Sequence, residues 1–158
     1  MPMTDPSDAL ASFQQMLPRG VLPLERARLD PTVRVMVDEP AAGVVRFTYV
    51  RTQGQRATEM AVLVTCEPIE GRPCWALGYA VEPELRGQGR AKSIVTAALN
   101  EFETGMRRAG ALPQYIETVV GADNAASLRV ATQLFGEGEQ ITDSVSGLPA
   151  LRFLMKLG

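Results

Sequence analysis

One stretch, residues 75–106, constrains the fold more than any other part of the sequence. It reads as a buried strand over residues 75–81, a turn, a glycine loop over residues 86–91 and a long amphipathic helix. Apolar residues recur in the helix at a spacing of three to four, so one stripe of it faces a core. Strand, glycine loop and helix in this order predict an anion site. The loop amides and the positive end of the helix dipole converge on one point.

A pyrophosphate suits such a site, and the glycine spacing indicates which class of pyrophosphate-binding motif the loop belongs to. Arg86 and Arg90 add positive charges to the loop, and Lys92 is placed to add a third. The kinase-type phosphate loop, Gly-x-x-x-x-Gly-Lys-Ser/Thr, does not occur in the sequence. The dinucleotide fingerprint Gly-x-Gly-x-x-Gly, counted from Gly87, would need a glycine where Lys92 stands, so that motif is excluded too.

The motif that remains, Arg-x-x-Gly-x-Ala from Arg86 to Ala91, resembles the acetyl-CoA loop of the GNAT acyltransferases. Residues 78–87 look like the fourth strand of that family and its approach to the loop. Residues 123–130 resemble the Asn-x-x-Ser helix start of the branch that acetylates ribosomal-protein N-termini and related amines. The resemblance runs from Trp75 to about Gly138, and residues 1–74 match only as strands. The hexapeptide alone also fits a plain turn that caps a helix; the order of the three elements favours the acyl-CoA interpretation.

The resemblance implies a cosubstrate and a set of contacts. In that family the strands before and after the central helix splay apart at one end, and the pantetheine arm lies in the gap as a further strand would. It implies acetyl-CoA as cosubstrate, no metal, and an oxyanion donor at the backbone N–H near Val81. The implied cofactor-binding residues are Tyr79 and Val81 by their backbone, Arg86, Gly87, Gln88, Gly89, Arg90, Ala91 and Lys92 of the loop, and Asn124.

Composition limits the partners of the chain. With 158 residues, 46% of them hydrophobic, and a formal net charge of −2, it reads as one globular domain over residues 1–158. The weakly acidic balance gives no reason to expect nucleic acid. No apolar run approaches the roughly 20 residues of a membrane helix, so no membrane partner is expected. Residues 1–8 are expected to be flexible and carry no secretory signal pattern.

Two further counts narrow the chemistry. The chain has no histidine, which removes Ser/His and Cys/His nucleophiles and the usual zinc sites. Carboxylates, tyrosine, serine, backbone dipoles or water must therefore do the work. Cys66 and Cys74 end one predicted strand and begin the next; we interpret them as half-buried thiols in a reducing compartment, the cytoplasm.

The remaining pattern predicts an α+β fold. We expect a mixed, mostly antiparallel sheet of about seven strands, with a parallel pair splayed around a central helix crossover. Residues 18–32 are expected to be extended or irregular, with a helical turn around residues 24–29. The predicted strands cover residues 33–37, 44–51, 58–66, 75–81, 115–120, 140–145 and 150–157, and the helices residues 9–17, 91–106 and 124–135.

For amine attack on a thioester, the sequence offers two catalytic candidates. Glu117 lies between apolar residues in the strand beside the splay, where the pKa of a carboxylate is raised and suits a general base acting through water. The alternative is that Glu117 points outward and pairs with an arginine. Glu82 and Glu84 are other candidate bases. Ser127 resembles the serine thought to meet the CoA sulfur, and it also suits a helix cap; Tyr79 could orient the amine or simply fill the strand.

Two departures from the family pattern stand out. The position where many members carry a tyrosine near the thiolate is Ala131 here. Two helices usually roof the acceptor site between the first two strands, whereas only a turn fits between Val37 and Val44. Either the first strand lies earlier, within residues 18–30, or the roof is missing. We hypothesise an open acceptor groove, completed by a second subunit in a homodimer.

The sequence therefore supports two main functions. The first is an acetyl-CoA-dependent N-acetyltransferase that moves an acetyl group directly to a primary amine of a small molecule or peptide. The second is a CoA-binding module without turnover, which would serve regulation or assembly. A third, weaker alternative is a nucleotide-phosphate binder of another fold.

Overall fold

A computed structural model describes residues 6–158. Over that range the chain forms a single eight-stranded sheet and three α-helices. The first five residues of the segment expected to be flexible lie outside the described range. The strands are β1 (Glu25–Arg26), β2 (Val33–Ala41), β3 (Val44–Gln53), β4 (Arg56–Ile69), β5 (Arg72–Val81), β6 (Gln114–Gly121), β7 (Glu139–Thr142) and β8 (Pro149–Leu157), and the helices are α1 (Pro6–Met16), α2 (Arg90–Arg108) and α3 (Ala125–Phe135).

The sheet has the order β1-β2-β3-β4-β5-β6-β8-β7. Tight turns make β2 to β5 an antiparallel meander, and left-handed glycines such as Gly43 and Gly54 permit those turns. Helix α2 carries the chain across to β6, which lies parallel to β5. The predicted fold class, a mostly antiparallel sheet with one parallel pair around a helix crossover, is therefore confirmed.

Three details of the predicted elements are wrong. The helical turn expected around residues 24–29 is instead the short edge strand β1, paired with β2, which raises the strand count to eight. Residues 6–8 are not loose but open α1. Strand β7 ends at Thr142, because Asp143 forms a turn by accepting hydrogen bonds from the amide of Val145 and the hydroxyl of Ser146.

Helix α2 covers one face of the sheet and buries the main core. Its apolar stripe, Ile94, Val95, Ala98, Leu99 and Phe102, is fully or almost fully buried. The Phe102 ring packs edge-on against two other aromatic rings, with centroid distances of 5.4 Å to Phe47 and 5.2 Å to Trp75. This packing anchors the helix, and thus the loop before it, on the centre of the sheet.

Helix α1 covers part of the opposite face. Leu10 and Phe13 are buried against Val50, Met60 and Ala80, which also belong to a smaller second core. Between β1 and β2, and between β2 and β3, the described chain has only loops and turns, so the two-helix roof of the resemblance does not form there.

None of the helices over residues 6–158 combines the length and the apolar character needed to cross a membrane.

Candidate functional site

The candidate site is a cleft where β5 and β6 separate. The two strands pair in register only from Cys74 opposite Tyr115 to Ala76 opposite Glu117. Strand β5 then runs on to Val81, and β6 to Gly121, with the expected splay between them. The gap between them is part of a cleft of about 1320 Å³, which extends from the glycine loop to the β7–β8 hairpin.

The edge of β5 that borders the cleft carries the backbone groups of Tyr79 and Val81. The amide of Glu82 donates to Thr58 in β4, on one side of β5, and the carbonyl of Leu77 accepts from Thr118 in β6, on the other. Alternate residues of a strand direct their backbone groups to opposite edges. Tyr79 and Val81 therefore share the orientation of Leu77 and face the cleft.

The glycine loop ends in a helix start that has open amides. Gly87 and Gly89 both have φ of 75°, a conformation that favours glycine, and Gly89 is the N-cap of α2 without a side-chain hydrogen bond. The first intrahelical bond runs from the amide of Ser93 to Gly89, so the preceding amides of α2 have no partner within the helix. An added Cβ on either glycine meets no atom within 4 Å, which means that space above the loop is open to a ligand. This geometry suits a diphosphate.

The predicted basic residues around this loop differ in the partners that their side chains bind. Arg86, Arg90 and Lys92 all line the cleft, as the backbone of Gly87, Gly89 and Ala91 does, whereas Gln88 is not part of that lining. The Arg86 guanidinium donates to the carbonyl of Val81 at 3.2 Å. The Arg90 guanidinium is bound 3.2 Å from Glu59, a carboxylate that is only 2% exposed.

Sequence reasoning missed Glu59 and Arg129. Glu59 is an acidic residue next to the apolar run 60–64 of strand β4, and that position was the available signal for a buried carboxylate in an ion pair. Arg129 lies one turn into α3 and lines the cleft, so it adds a further positive charge to that lining. Its place in the site depends on the docking of α3, which the sequence pattern does not specify.

Helix α3 forms the wall of the cleft that lies across from β5. Asn124 is its N-cap, and its side chain accepts a hydrogen bond from the amide of Ser127 at 3.2 Å. The phenol of Tyr79 reaches across from β5 and donates to the carbonyl of Ser127 at 3.2 Å. Burial raises the pKa of Tyr79, so it is a neutral hydrogen-bond donor at physiological pH. Ala131 is buried against Val120 and does not face the cleft.

Glu117 lines the cleft, but not in the apolar surroundings that the sequence suggested. The Arg152 side chain in β8 binds its carboxylate through Nε at 2.9 Å and Nη2 at 2.8 Å. The two side chains are 24% and 31% exposed, so the pair opens to the cleft. This hydrogen bond raises the pKa of Arg152, which keeps the guanidinium charged. Glu117 therefore pairs with an arginine, as the alternative expected, and the pair lies in the lining of the cleft.

The other candidate bases lie elsewhere. Glu82 is buried in an ion pair with Arg56, and Glu84 is exposed; neither is among the residues that line the cleft. Cys66 and Cys74 are free thiols directly opposite each other on β4 and β5. Cys66 is half-buried as expected, whereas Cys74 is almost completely buried. Within residues 6–158, no group of His, Cys, Asp or Glu side chains could hold a metal ion.

Solved structures with the same fold are acetyltransferases. An acetyltransferase of Salmonella typhimurium that modifies the N-terminal serine of ribosomal protein L7/L12 matches 72% of this chain and 64% of its own, with 17% identity and a TM-score of 0.53. A putative acetyltransferase of the same organism, solved with its cofactor acetyl-CoA, matches 72% and 65%, with 18% identity and a TM-score of 0.55. A GNAT-family acetyltransferase of Streptococcus pneumoniae matches 99% of this chain and 98% of its own, with 11% identity and a TM-score of 0.58.

The similarity is one of fold. The chain spans less than two thirds of the length of the first two of these structures. No protein-family model matches the sequence, and no curated protein matches it. The GNAT fold inferred from the resemblance of residues 75–138 is therefore confirmed by structure, at sequence identities too low to transfer a substrate.

Proposed function

We propose that this chain is an acetyl-CoA-dependent N-acetyltransferase that moves an acetyl group directly to a primary amine of a small molecule or peptide. One observation carries the proposal: the open N-terminus of α2, with left-handed Gly87 and Gly89, lies at the mouth of a cleft between two diverging strands. An anion site joined to a slot whose two strand edges do not pair with each other suits a diphosphate that continues into a long, narrow amide-containing arm. The similar Salmonella typhimurium protein solved with acetyl-CoA supports this choice.

The loop and the two walls of the cleft would hold the cosubstrate. The amides of residues 87–92 bind the diphosphate, with Arg86, Arg90 and Lys92 as counter-charges, and the backbone of Tyr79 and Val81 pairs with the arm. Asn124 fixes the first turn of α3 against that arm. Acetyl-CoA supplies the activated acyl group as a thioester, and no residue of the chain needs to be acylated.

Three groups would act in the transfer step. A backbone amide near Val81, on the edge of β5 that borders the cleft, is the donor for the oxygen on which negative charge develops. The hydroxyl of Ser127 is the hydrogen-bond donor for the departing sulfur. Glu117 is the base that takes the amine proton through water, and Arg152 holds its carboxylate in place. Glu117 and Arg152 lie on the sheet face opposite α2, so the acceptor amine enters from that side.

The second candidate function, CoA binding without turnover, is favoured by two observations. The Glu117 carboxylate is bound by Arg152, and Ala131, at the position of the family tyrosine, faces the core.

The homodimer and the cytoplasmic location also stay predictions. The two free thiols support a reducing compartment.

Two measurements separate these functions. Calorimetric titration with acetyl-CoA should show saturable binding, and absence of binding would overturn both. Release of CoA thiol should then accelerate with members of an amine panel that includes polyamines, amino acids and peptides with free N-termini. Binding without acceleration by any amine would leave the module without turnover.

A further inference from the structure

The inner end of the cleft is closed by one side-chain hydrogen bond. The hydroxyl of Thr118 in β6 donates to the carbonyl of Leu77 in β5 at 3.0 Å, and the two residues are 4% and 1% exposed. The ladder between the strands ends one residue earlier, at Ala76 and Glu117. This bond therefore lies at the first position where the strands fail to pair.

The bond occupies a group that a longer ladder would use. Just past the cleft end of β6, the amide of Ala122 donates to Pro149 in β8. By alternation along the strand, the amide of Val119 faces β5 and the cleft. If the parallel ladder continued, that amide would bond the carbonyl of Leu77. The Thr118 hydroxyl takes the carbonyl instead.

We infer that Thr118 is a positioning residue that fixes where the split begins, and hence how deeply the acyl end of the cosubstrate reaches. This rests on the proposed function. A buried carbonyl needs a donor. The hydroxyl supplies one without a backbone pair, so β5 and β6 can part at this residue and not further out. It also leaves the amide of Val119 free to face the ligand.

Removal of the hydroxyl should lengthen the ladder and shorten the cleft. Thr118→Val removes the donor and keeps the β-branched shape, whereas Thr118→Ser keeps the donor and serves as the matched control. In Thr118→Val the carbonyl of Leu77 accepts from Val119, so the acetyl end loses its place. We expect affinity for acetyl-CoA to fall about tenfold, the scale of one hydrogen bond, and Thr118→Ser to bind as the wild type does.

A truncated ligand localises the effect. The nucleotide end of CoA, 3′-phospho-ADP, engages only the glycine loop, so Thr118→Val should bind it with wild-type affinity. Equal loss for both ligands, or no loss for acetyl-CoA, would overturn the inference. Failure of wild-type protein to bind either ligand would instead overturn the proposed function.

Hydrogen exchange supplies a readout that needs no variant. In the free wild-type protein the hydrogen of the Val119 amide should exchange with solvent faster than amide hydrogens in the middle of a sheet usually do. Binding of acetyl-CoA should slow this exchange. In Thr118→Val, or in Thr118→Ala if the valine variant folds poorly, the amide should be protected without ligand. Strong protection of Val119 in the free wild-type protein would overturn the inference.

Discussion

At the scale of the residue, the sequence could nominate Glu117 but not its surroundings. Its position in a strand beside the splay follows from pattern. Its partner Arg152 lies 35 positions away, and the two meet only through the register of β6 with β8, which places Val119 opposite Arg152. Register across a sheet depends on how the closing hairpin pairs, and no local signal specifies it. The pair of Glu59 and Arg90 depends on another long-range arrangement, the packing of the start of α2 against β4.

The role of Glu117 is tested by Glu117→Gln. If this carboxylate accepts the amine proton, the turnover number should fall by about 10²- to 10⁴-fold, while affinity for acetyl-CoA changes little. The exposed Glu84 lies outside the cleft lining, so Glu84→Gln is the matched control and should keep wild-type turnover. Steady-state kinetics with the best amine of the panel measure both. Undiminished turnover in Glu117→Gln would assign the base elsewhere.

Asp30 gives a prediction about pH. Hydrogen bonds from Thr32, and then from Arg51, lower the pKa of Asp30 from 3.8 to about 2. A lowered pKa in the folded state means that the charged carboxylate stabilises the fold above about pH 3.8, and that this stabilisation is lost as the pH falls towards 2. Asp30→Asn should therefore lower the melting temperature at neutral pH, and the gap to wild type should narrow near pH 2. A gap independent of pH would contradict this explanation.

At the scale of the element, the strand–loop–helix unit could be predicted from the sequence because a local sequence signal specifies each of its parts. The apolar stripe predicted α2, and just past the end of that helix a left-handed Gly110 bonds back to Arg107. The two-residue strand β1 could not be predicted, because it is too short to show the alternating apolar and polar pattern of a strand. Helix α1 was predicted as a helix, but its docking on β4 and β5 depends on contacts distant in sequence.

Two glycines of this unit should respond oppositely to alanine. Gly89 has φ of 75°, where a Cβ costs roughly 1–2 kcal/mol, so Gly89→Ala should lower the melting temperature and weaken acetyl-CoA binding. Gly105 lies inside α2, and an added Cβ there meets no atom within 4 Å. Gly105→Ala should stabilise by roughly 0.5–1 kcal/mol and leave binding unchanged. Thermal unfolding and calorimetry test both; identical behaviour of the two variants would contradict the assigned helix start.

At the scale of the whole molecule, the structure places the glycine loop and the Glu117–Arg152 pair on different parts of one cleft. Arg86, Arg90 and Lys92 line its mouth, whereas Glu117 and Arg152 lie further in. Helix α1 covers the sheet face from which the acceptor would enter, and its Pro6 and Ser7 reach the cleft. The groove is thus partly covered by the chain itself, and not left fully open as the sequence suggested.

The docking of α1 is tested by Phe13→Ala. Loss of this buried ring should cost about 3–5 kcal/mol, which corresponds to roughly 2–4 °C of melting temperature for each kcal/mol in a chain of this size. Gln15, exposed on the same helix, provides the control, and Gln15→Ala should change stability by less than about 0.5 kcal/mol. A Phe13→Ala protein as stable as wild type would show that α1 is not docked on the sheet.

The proposed function depends most on the contact between the amides of residues 87–92 and a diphosphate whose arm lies between β5 and β6. Titration of ¹⁵N-labelled protein with acetyl-CoA measures this contact at each amide. We expect saturable shifts that are largest at Gly87, Gly89 and Ala91, and at Tyr79 and Val81 along the cleft. Shifts confined to other surfaces, or an unchanged spectrum at saturating acetyl-CoA, would contradict it.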